Sequence, residues 1–475
     1  MAQTPQLLTQ TAHHLAELIK RGEASPVQIV EACLERIERL NPRLNAFISV
    51  TGNQALAQAR EAEREISGGH YRGPLHGIPY APKDIFATQG IRTTNGSRVT
   101  ADWIPDFDST VIARLNEAGA ILLGKLNLHE FAIGSGVDSG FGPARNPWDL
   151  EYSPGGSSSG SGAALAAELV PLSIGTDTGG SVRWPAAYSG VVGLKPTYGR
   201  VSRFGVTALS WTLDHVGPMT RSVADAAAML QVMAGYDEKD PTSAEEEVPE
   251  YASALDADIR GLRVGVPTNY FFEHTDPQIE RAVRSAIQQL AELGAELVDV
   301  QIPHIQYASG GTVIMRVEAA CFHQKRLRED AHRLDPEVRE RLEMAHFYSA
   351  IDYVQAQRSR TLLMEDMKAV FEKCEVMAIP ASPQLASKLE PDSSEQSRPP
   401  SGSQSGPPTL QHARLGNMTG QPAICLPCGF STGPPKLPIG IMLYARAFDE
   451  LSLFRAGHAY QAVTQWHRQR PPIFD

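Results

Sequence analysis

Two Gly/Ser-rich runs hold the residue types that acyl transfer needs: Gly155-Gly156-Ser157-Ser158-Ser159-Gly160-Ser161-Gly162, and Gly175-Thr176-Asp177-Thr178-Gly179-Gly180-Ser181-Val182-Arg183. Glycines let successive backbone N–H groups turn toward one point, as a developing oxyanion requires, and the serines between them can supply a nucleophile and a proton relay. A linker would share the first run's composition. The second carries Asp177 and Arg183 in fixed company between apolar segments and reads as a built turn. Ser181, behind Gly179 and Gly180, is its candidate nucleophile; the plain alternative is a structural Gly-rich turn with an incidental serine.

A serine hydroxyl needs a base. None of the 14 histidines lies in a Gly-rich context, and His129-Glu130 lacks the second histidine of a zinc-binding HExxH. Lys83 is the alternative, in the apolar, proline-stiffened segment His76-Gly-Ile-Pro-Tyr-Ala-Pro-Lys83-Asp84-Ile-Phe86. Burial disfavours the ammonium form; bringing a lysine from about 10.4 down to about 7 to 8 takes roughly 3 to 4 kcal/mol. A Lys83-Asp84 surface pair is the competing reading of the same residues.

The elements that must position these residues follow an α/β grammar. Ser25-Pro26-Val27-Gln28 is a capping-box helix start, followed by Val30, Cys33, Leu34 and Ile37 at helical spacing. A helix over 109–118 ends at Gly119 before an apolar strand over 120–123, and a strand over 262–266, a helix from Asp276-Pro277 and a strand over 296–300 complete a β-α-β unit. These patterns predict a mixed central β-sheet flanked by helices on both faces. One domain is expected over 1–475, with an N-terminal helical segment over about 1–67. The acidic, proline-punctuated stretch 237–250 reads as a solvated connection and the Pro/Ser/Gly-rich stretch 390–408 as a flexible loop within the fold.

Composition removes several functions. A net charge of -11 with no basic stripe argues against a nucleic-acid surface, and no apolar run is long enough to span a bilayer. Five cysteines in 475 residues make no disulfide framework, so a soluble cytoplasmic protein is expected. Cys425-Leu-Pro-Cys428 has CxxC spacing but no second half-site, and it reads as a buried strand. Gly156-Ser-Ser158-Ser-Gly160 fits a nucleophile elbow without a good preceding strand, and 119–125 resembles a P-loop with Leu126 where magnesium needs Ser or Thr.

Taken together, the runs 155–163, 175–183 and 190–203 resemble the amidase signature family, and so do Pro82-Lys83-Asp84, Leu122–Asn127 with Glu130-Phe131, Asn146-Pro147-Trp148, Asp214–Pro218 and 438–442. The resemblance runs from about residue 10 to the end. It implies a Ser-cisSer-Lys triad: Ser181 as nucleophile, Ser157 as the bridging serine behind a cis Gly156–Ser157 peptide, and Lys83 as base. It also implies an oxyanion hole from the N–H groups of Thr178, Gly179, Gly180 and Ser181, supported by Asp177 and Arg183, with no metal and no cofactor. Pocket walls in this family vary, and 131–138 and 305–360 are the segments expected to form them here.

Within the resemblance, the favoured expectation is a free-standing amidase acting on a small-molecule amide, with aryl amide, carbamate or ester bonds open; the alternative is the A subunit of a glutamyl-tRNA amidotransferase. Trp184, where those subunits usually carry glutamine, and the segment Leu334-Asp-Pro-Glu-Val-Arg-Glu-Arg-Leu342 point to the first. The 191–203 segment and Asp449, which could meet a substrate amino group, point to the second. Phe131 and Trp184 are the other candidate substrate contacts. A monomer or homodimer is expected, off the membrane and with no nucleic-acid partner outside the amidotransferase reading. A catalytically silent binding protein is the reading from another class, and it has no need of Lys83, Ser157 and Ser181 together.

Overall fold

A computed structural model describes residues 7–134, 140–273, 275–389 and 409–474. Ten strands form one mixed sheet in the order Ile121–Leu122, Pro79–Pro82, Leu172–Asp177, His215–Thr220, Val192–Lys195, Ala423–Phe430, Pro438–Ala445, Val376–Pro380, Arg263–Pro267, Glu296–Val300. Both edges are parallel, Pro79–Pro82 with its two neighbours and Arg263–Pro267 with its two, while the centre is antiparallel. Central strands such as Leu172–Asp177 and Pro438–Ala445 are buried at every residue, as a sheet covered on both sides requires.

Alternation along one strand displays the two covers. Leu426 packs beside Gly457 of the helix Glu450–Val463, whereas a Cβ on Gly440 would meet Cys425 Sγ at 3.0 Å and Ala187 of the helix Arg183–Ser189 at 2.9 Å. The expected α/β architecture is the one observed. Cys425 and Cys428 both lie buried in the strand Ala423–Phe430.

Local signals place the helices. Ser25 caps Pro26–Leu44 through a complete capping box, and the chain leaves that helix through Asn45 at φ 49°. The N-terminal region holds the helices Ala12–Lys20, Pro26–Leu44 and Gly52–Ser67, with the short strand Phe47–Val50 pairing Gly124–Leu126. Residues 1–6, 135–138 and the 390–408 loop lie outside the described residues. The 237–250 stretch corrects its reading in part. Asp237 and Asp240 are buried, because Asp237 accepts from Thr110 and Ser202 and Asp240 from the Arg203 N–H, which ties this stretch to the body.

Two neighbouring parallel strands aim their carboxyl ends at one place. Pro82 pairs with Ile174, and the Lys83 N–H bonds to Ile174 O at 3.0 Å, so Lys83 emerges beside Thr176 and the turn that follows Asp177. The carboxyl ends of parallel strands are where α/β sheets carry their ligand sites. Among the described residues no helix is long and apolar enough to cross a membrane.

Candidate active site

Strand alternation sends Lys83 and Asp84 to opposite sides. Asp84 faces Lys125, whose Nζ lies 3.2 Å from Asp84 Oδ1, and its other oxygen accepts from Thr94 N and Oγ1 at 2.8 and 2.5 Å. The surface-pair reading of Lys83 and Asp84 therefore fails: both are fully buried, and the aspartate belongs to another lysine. Lys83 instead directs Nζ to Ser157 Oγ and Thr176 Oγ1, each at 2.8 Å. Burial lowers its pKa to about 7, against the opposing pull of the Asp214 and Asp177 charges.

Ser157 is presented by a cis Gly156–Ser157 peptide just before the helix Ser159–Ala166. A Cβ on Gly156 would overlap the His129 ring, so this close approach admits only glycine. The Ser158 N–H bonds to Ser181 O at 3.3 Å and stitches the two Gly/Ser runs together.

The second run turns on Asp177. Arg183 grips its carboxylate with two bonds (Nε to Oδ2 at 3.0 Å, Nη2 to Oδ1 at 2.9 Å), and Asn417 Nδ2 donates to Asp177 Oδ1 at 2.9 Å. Burial raises the Asp177 carboxyl, but Arg183 and Asn417 outweigh it and hold the group well below the usual carboxylate range. Arg183 is itself satisfied by Tyr444 Oη at 2.9 Å and Asn417 Oδ1 at 2.7 Å. The same carboxylate takes the N–H groups of Gly180 at 2.8 Å and Val182 at 3.1 Å, which fixes the turn around Ser181.

That geometry corrects one expectation. With its N–H spent on Asp177, Gly180 is no oxyanion donor. Thr178, Gly179 and Ser181 line the cavity, and the N–H groups of Gly179 and Ser181 meet no acceptor among the described residues. A lysine–serine pair, a second serine on a rigid turn, and backbone N–H groups left without an acceptor beside the cavity make a constellation suited to acyl transfer.

The family model described as Amidase matches residues 28–454. The chain belongs to the amidase family.

Its relatives include the glutamyl-tRNA(Gln) amidotransferase A subunit of Moorella thermoacetica, 40% identical over 488 residues with 98% of each chain covered. The protein of the same name from Chloroflexus aurantiacus is 44% identical over 492 residues, again covering 98% of each. Among solved structures, a bacterial aryl acylamidase of the amidase signature enzymes aligns at TM-score 0.86 and 27% identity, over 96% of each chain.

In this amidase Ser157 and Ser181 open onto a cavity of about 290 Å³. Trp184 lines it, as expected, and its Nε1 is buried with no hydrogen-bond partner among the described residues. Phe131 does not: fully buried, it packs on His323, 4.6 Å between ring centroids, and only its neighbours Ala132, Ile133 and Gly134 reach the cavity. Asp449 is not brought to the site either. It caps the helix Glu450–Val463, accepting from Ser452 Oγ at 2.9 Å and lying 3.4 Å from Arg446.

The 305–360 region supplies Met315, Arg316, Ala319, Arg341 and Leu342 to the wall. The sequence reading missed several neighbours. His129 lines the cavity, with Nδ1 donating to Gly134 O at 3.0 Å and burial lowering its pKa to about 4. Its adjacency to Glu130 drew attention only to zinc; Glu130 in fact accepts from Ser97 Oγ and the Asp335 N–H. Thr176 lay inside the quoted motif, whereas Arg414 and Asn417 sit in a segment with no chemical signature.

Proposed function

We propose that this amidase hydrolyses the C–N bond of a small carboxamide by acylating Ser181, with Ser157 and neutral Lys83 as the proton relay. The observation carrying this reading is Lys83 Nζ at 2.8 Å from Ser157 Oγ, at a depth that lowers its pKa to about 7. Ser181 Oγ attacks the carbonyl carbon; its proton passes to Ser157 Oγ as the Ser157 proton passes to Lys83 Nζ. The N–H groups of Gly179 and Ser181 donate hydrogen bonds to the carbonyl oxygen as it becomes negatively charged. The proton then returns through Ser157 to the nitrogen as the C–N bond breaks, releasing ammonia or an amine and leaving an ester on Ser181. Water repeats the sequence and frees the acid.

The 40–44% identity to amidotransferase A subunits over 98% of the chain favours a narrower setting, in which the amide is glutamine's and the ammonia passes to a partner that acts on a charged tRNA. This weighs more than Trp184 and the 334–342 segment, the features that speak for a free-standing hydrolase. The experiment is ammonia release from aliphatic amides, anilides, carbamates and glutamine, with and without the partner subunits of such a transferase. Turnover of any of them that Ser181→Ala abolishes supports the amidase reading; glutamine turnover that appears only with the partners supports the amidotransferase setting. No turnover under any condition refutes both.

A further inference from the structure

The wall of the Ser181 cavity is rich in donors and poor in acceptors. Arginines from three separate segments stand in it, and among the described residues no aspartate, glutamate, asparagine or glutamine lines it. Two of its hydroxyls are already engaged: Thr178 Oγ1 donates to Asp214 Oδ1 at 2.5 Å, and Ser157 Oγ accepts from Lys83 Nζ at 2.8 Å. An amide substrate brings the opposite demand at its nitrogen. A primary amide carries two N–H groups that give up water on entering, and a donor left without an acceptor is costly.

One side chain can meet that demand. His129 lines the cavity, and its two ring nitrogens keep different company. Nδ1 lies 3.0 Å from Gly134 O, which can only accept, so Nδ1 holds the ring hydrogen. Burial lowers the ring pKa to about 4, with the Lys83 charge acting in the same sense, so no second proton is bound at neutral pH. Nε2 is therefore a bare lone pair, and among the described residues no donor is bonded to it. Within the described wall it is the only side-chain nitrogen or oxygen acceptor that carries no hydrogen of its own.

Backbone contacts fix the ring against the proton relay. The His129 N–H donates to Ser157 O at 3.2 Å, and a Cβ on Gly156 would overlap Cε1 and Nε2 of the ring. The Nε2 edge thus rests on the residue whose cis peptide presents Ser157. Ser157 Oγ is the group that hands the proton to the departing nitrogen, so Nε2 lies beside the leaving group. Once Ser181 has added to the carbonyl carbon, that nitrogen is pyramidal and free to rotate about the C–N bond. Protonation needs its lone pair toward Ser157, and an acceptor that takes one N–H selects this orientation. An ester's leaving oxygen has no hydrogen to offer and would set lone pair against lone pair.

We propose that His129 Nε2 accepts a hydrogen bond from the leaving nitrogen of the substrate, and that this contact makes the site prefer amides bearing an N–H over the matching esters. The inference rests on amide hydrolysis at Ser181 and stands in either setting. His129 takes up no proton; it orients the atom to which Ser157 delivers one.

Two measurements test it. In kinetics, butyramide is compared with methyl butyrate, and glutamine with glutamate γ-methyl ester. His129→Leu should lower kcat/KM for the amides at least about tenfold and for the esters less than about threefold, since the ester never made the contact. Equal losses on amide and ester, or amide rates within about threefold of wild type, would overturn the proposal. The second measurement needs no turnover: nitrogen NMR of Ser181→Ala protein carrying 15N-histidine, with the His129 signals identified by their absence in His129→Leu. Saturating butyramide or glutamine should move the Nε2 resonance upfield as its lone pair takes a hydrogen bond, and methyl butyrate should leave it in place. No shift with either amide overturns the proposal. An amide-specific shift together with no turnover of any amide by the Ser181 protein would instead refute the hydrolytic reading, which keeps the two failures distinguishable.

Discussion

Lys83 Nζ stands 2.8 Å from Ser157 Oγ with no carboxylate bonded to it among the described residues, so the lysine is held by hydroxyls alone. Both hydroxyls tolerate either protonation state of the amine, whereas a bound carboxylate would lock it as ammonium. A base that must accept a proton at neutral pH needs that freedom.

The first prediction concerns pH. Lys83 is lowered to about 7 by burial, so its neutral form accumulates as pH rises through that value. The kcat/KM for amide hydrolysis should rise with pH, with an apparent pKa near 7, and level off above about 8. Lys83→Ala should cost orders of magnitude and flatten that limb, a loss comparable to other removed general bases of about 10² to 10⁴. A wild-type profile flat from pH 5 to 9 would count against the relay.

Stability should separate the two buried lysines. Lys125→Met strands the Asp84 carboxylate, which is fully buried, and is expected to cost about 3 to 5 kcal/mol. Lys83→Met removes an amine without a partner charge and should leave Tm unchanged or higher. Because the folded pKa of Lys83 lies below the unfolded one, the unfolded chain binds more protons between about 7 and 10.5, and wild-type stability from this group rises with pH across that window. The advantage of Lys83→Met should therefore shrink from pH 7 to pH 10 in thermal unfolding.

Asp177 organises the turn that carries Ser181. Asp177→Ala leaves Arg183 buried without its counter-charge and frees the Gly180 and Val182 N–H groups. Unfolding should become easier by roughly 3 to 5 kcal/mol, and any folded remainder should lose most of its turnover. Wild-type kcat in Asp177→Ala would show that the turn holds its shape without the carboxylate.

At Gly156 the constraint is steric. Gly156→Ala drives a methyl into the His129 ring and should reduce both soluble yield and kcat. His129→Gly in the same chain should recover a large part of the yield, since it removes the overlapping ring. Absence of any rescue would point to the backbone rather than to His129.

Asp449→Ala tests the corrected placement. It should lower stability by about 1 kcal/mol through loss of a helix N-cap and leave KM for glutamine or any other amide unchanged. A clear rise in KM would return Asp449 to the site.

How much of this was legible in the chain depended on whether the information was local. Capping signals at Ser25 and Asp276 and the strands over 262–266 and 296–300 are written within a few residues, and they appear close to where read, at Arg263–Pro267 and Glu296–Val300. The two Gly/Ser runs were legible because turn geometry demands glycine, and Lys83 because an apolar, proline-rich segment announces burial. Competition was invisible: Gly180 looks like a donor until Asp177 is seen to occupy its N–H. Asp449 was placed by motif likeness, which carries no distance, and Asp237 and Asp240 looked solvated because their donors come from elsewhere in the chain. The arginines at 316, 341 and 414 converge only in three dimensions.

The most direct test of the proposed chemistry is covalent labelling of the intact protein by a fluorophosphonate, followed by peptide mass spectrometry across pH. One adduct on Ser181 is predicted, formed at a rate that rises through pH 7 in the wild-type protein and falls by orders of magnitude in Lys83→Ala. No adduct, or an adduct on Ser157 or Ser158 in place of Ser181, would contradict it.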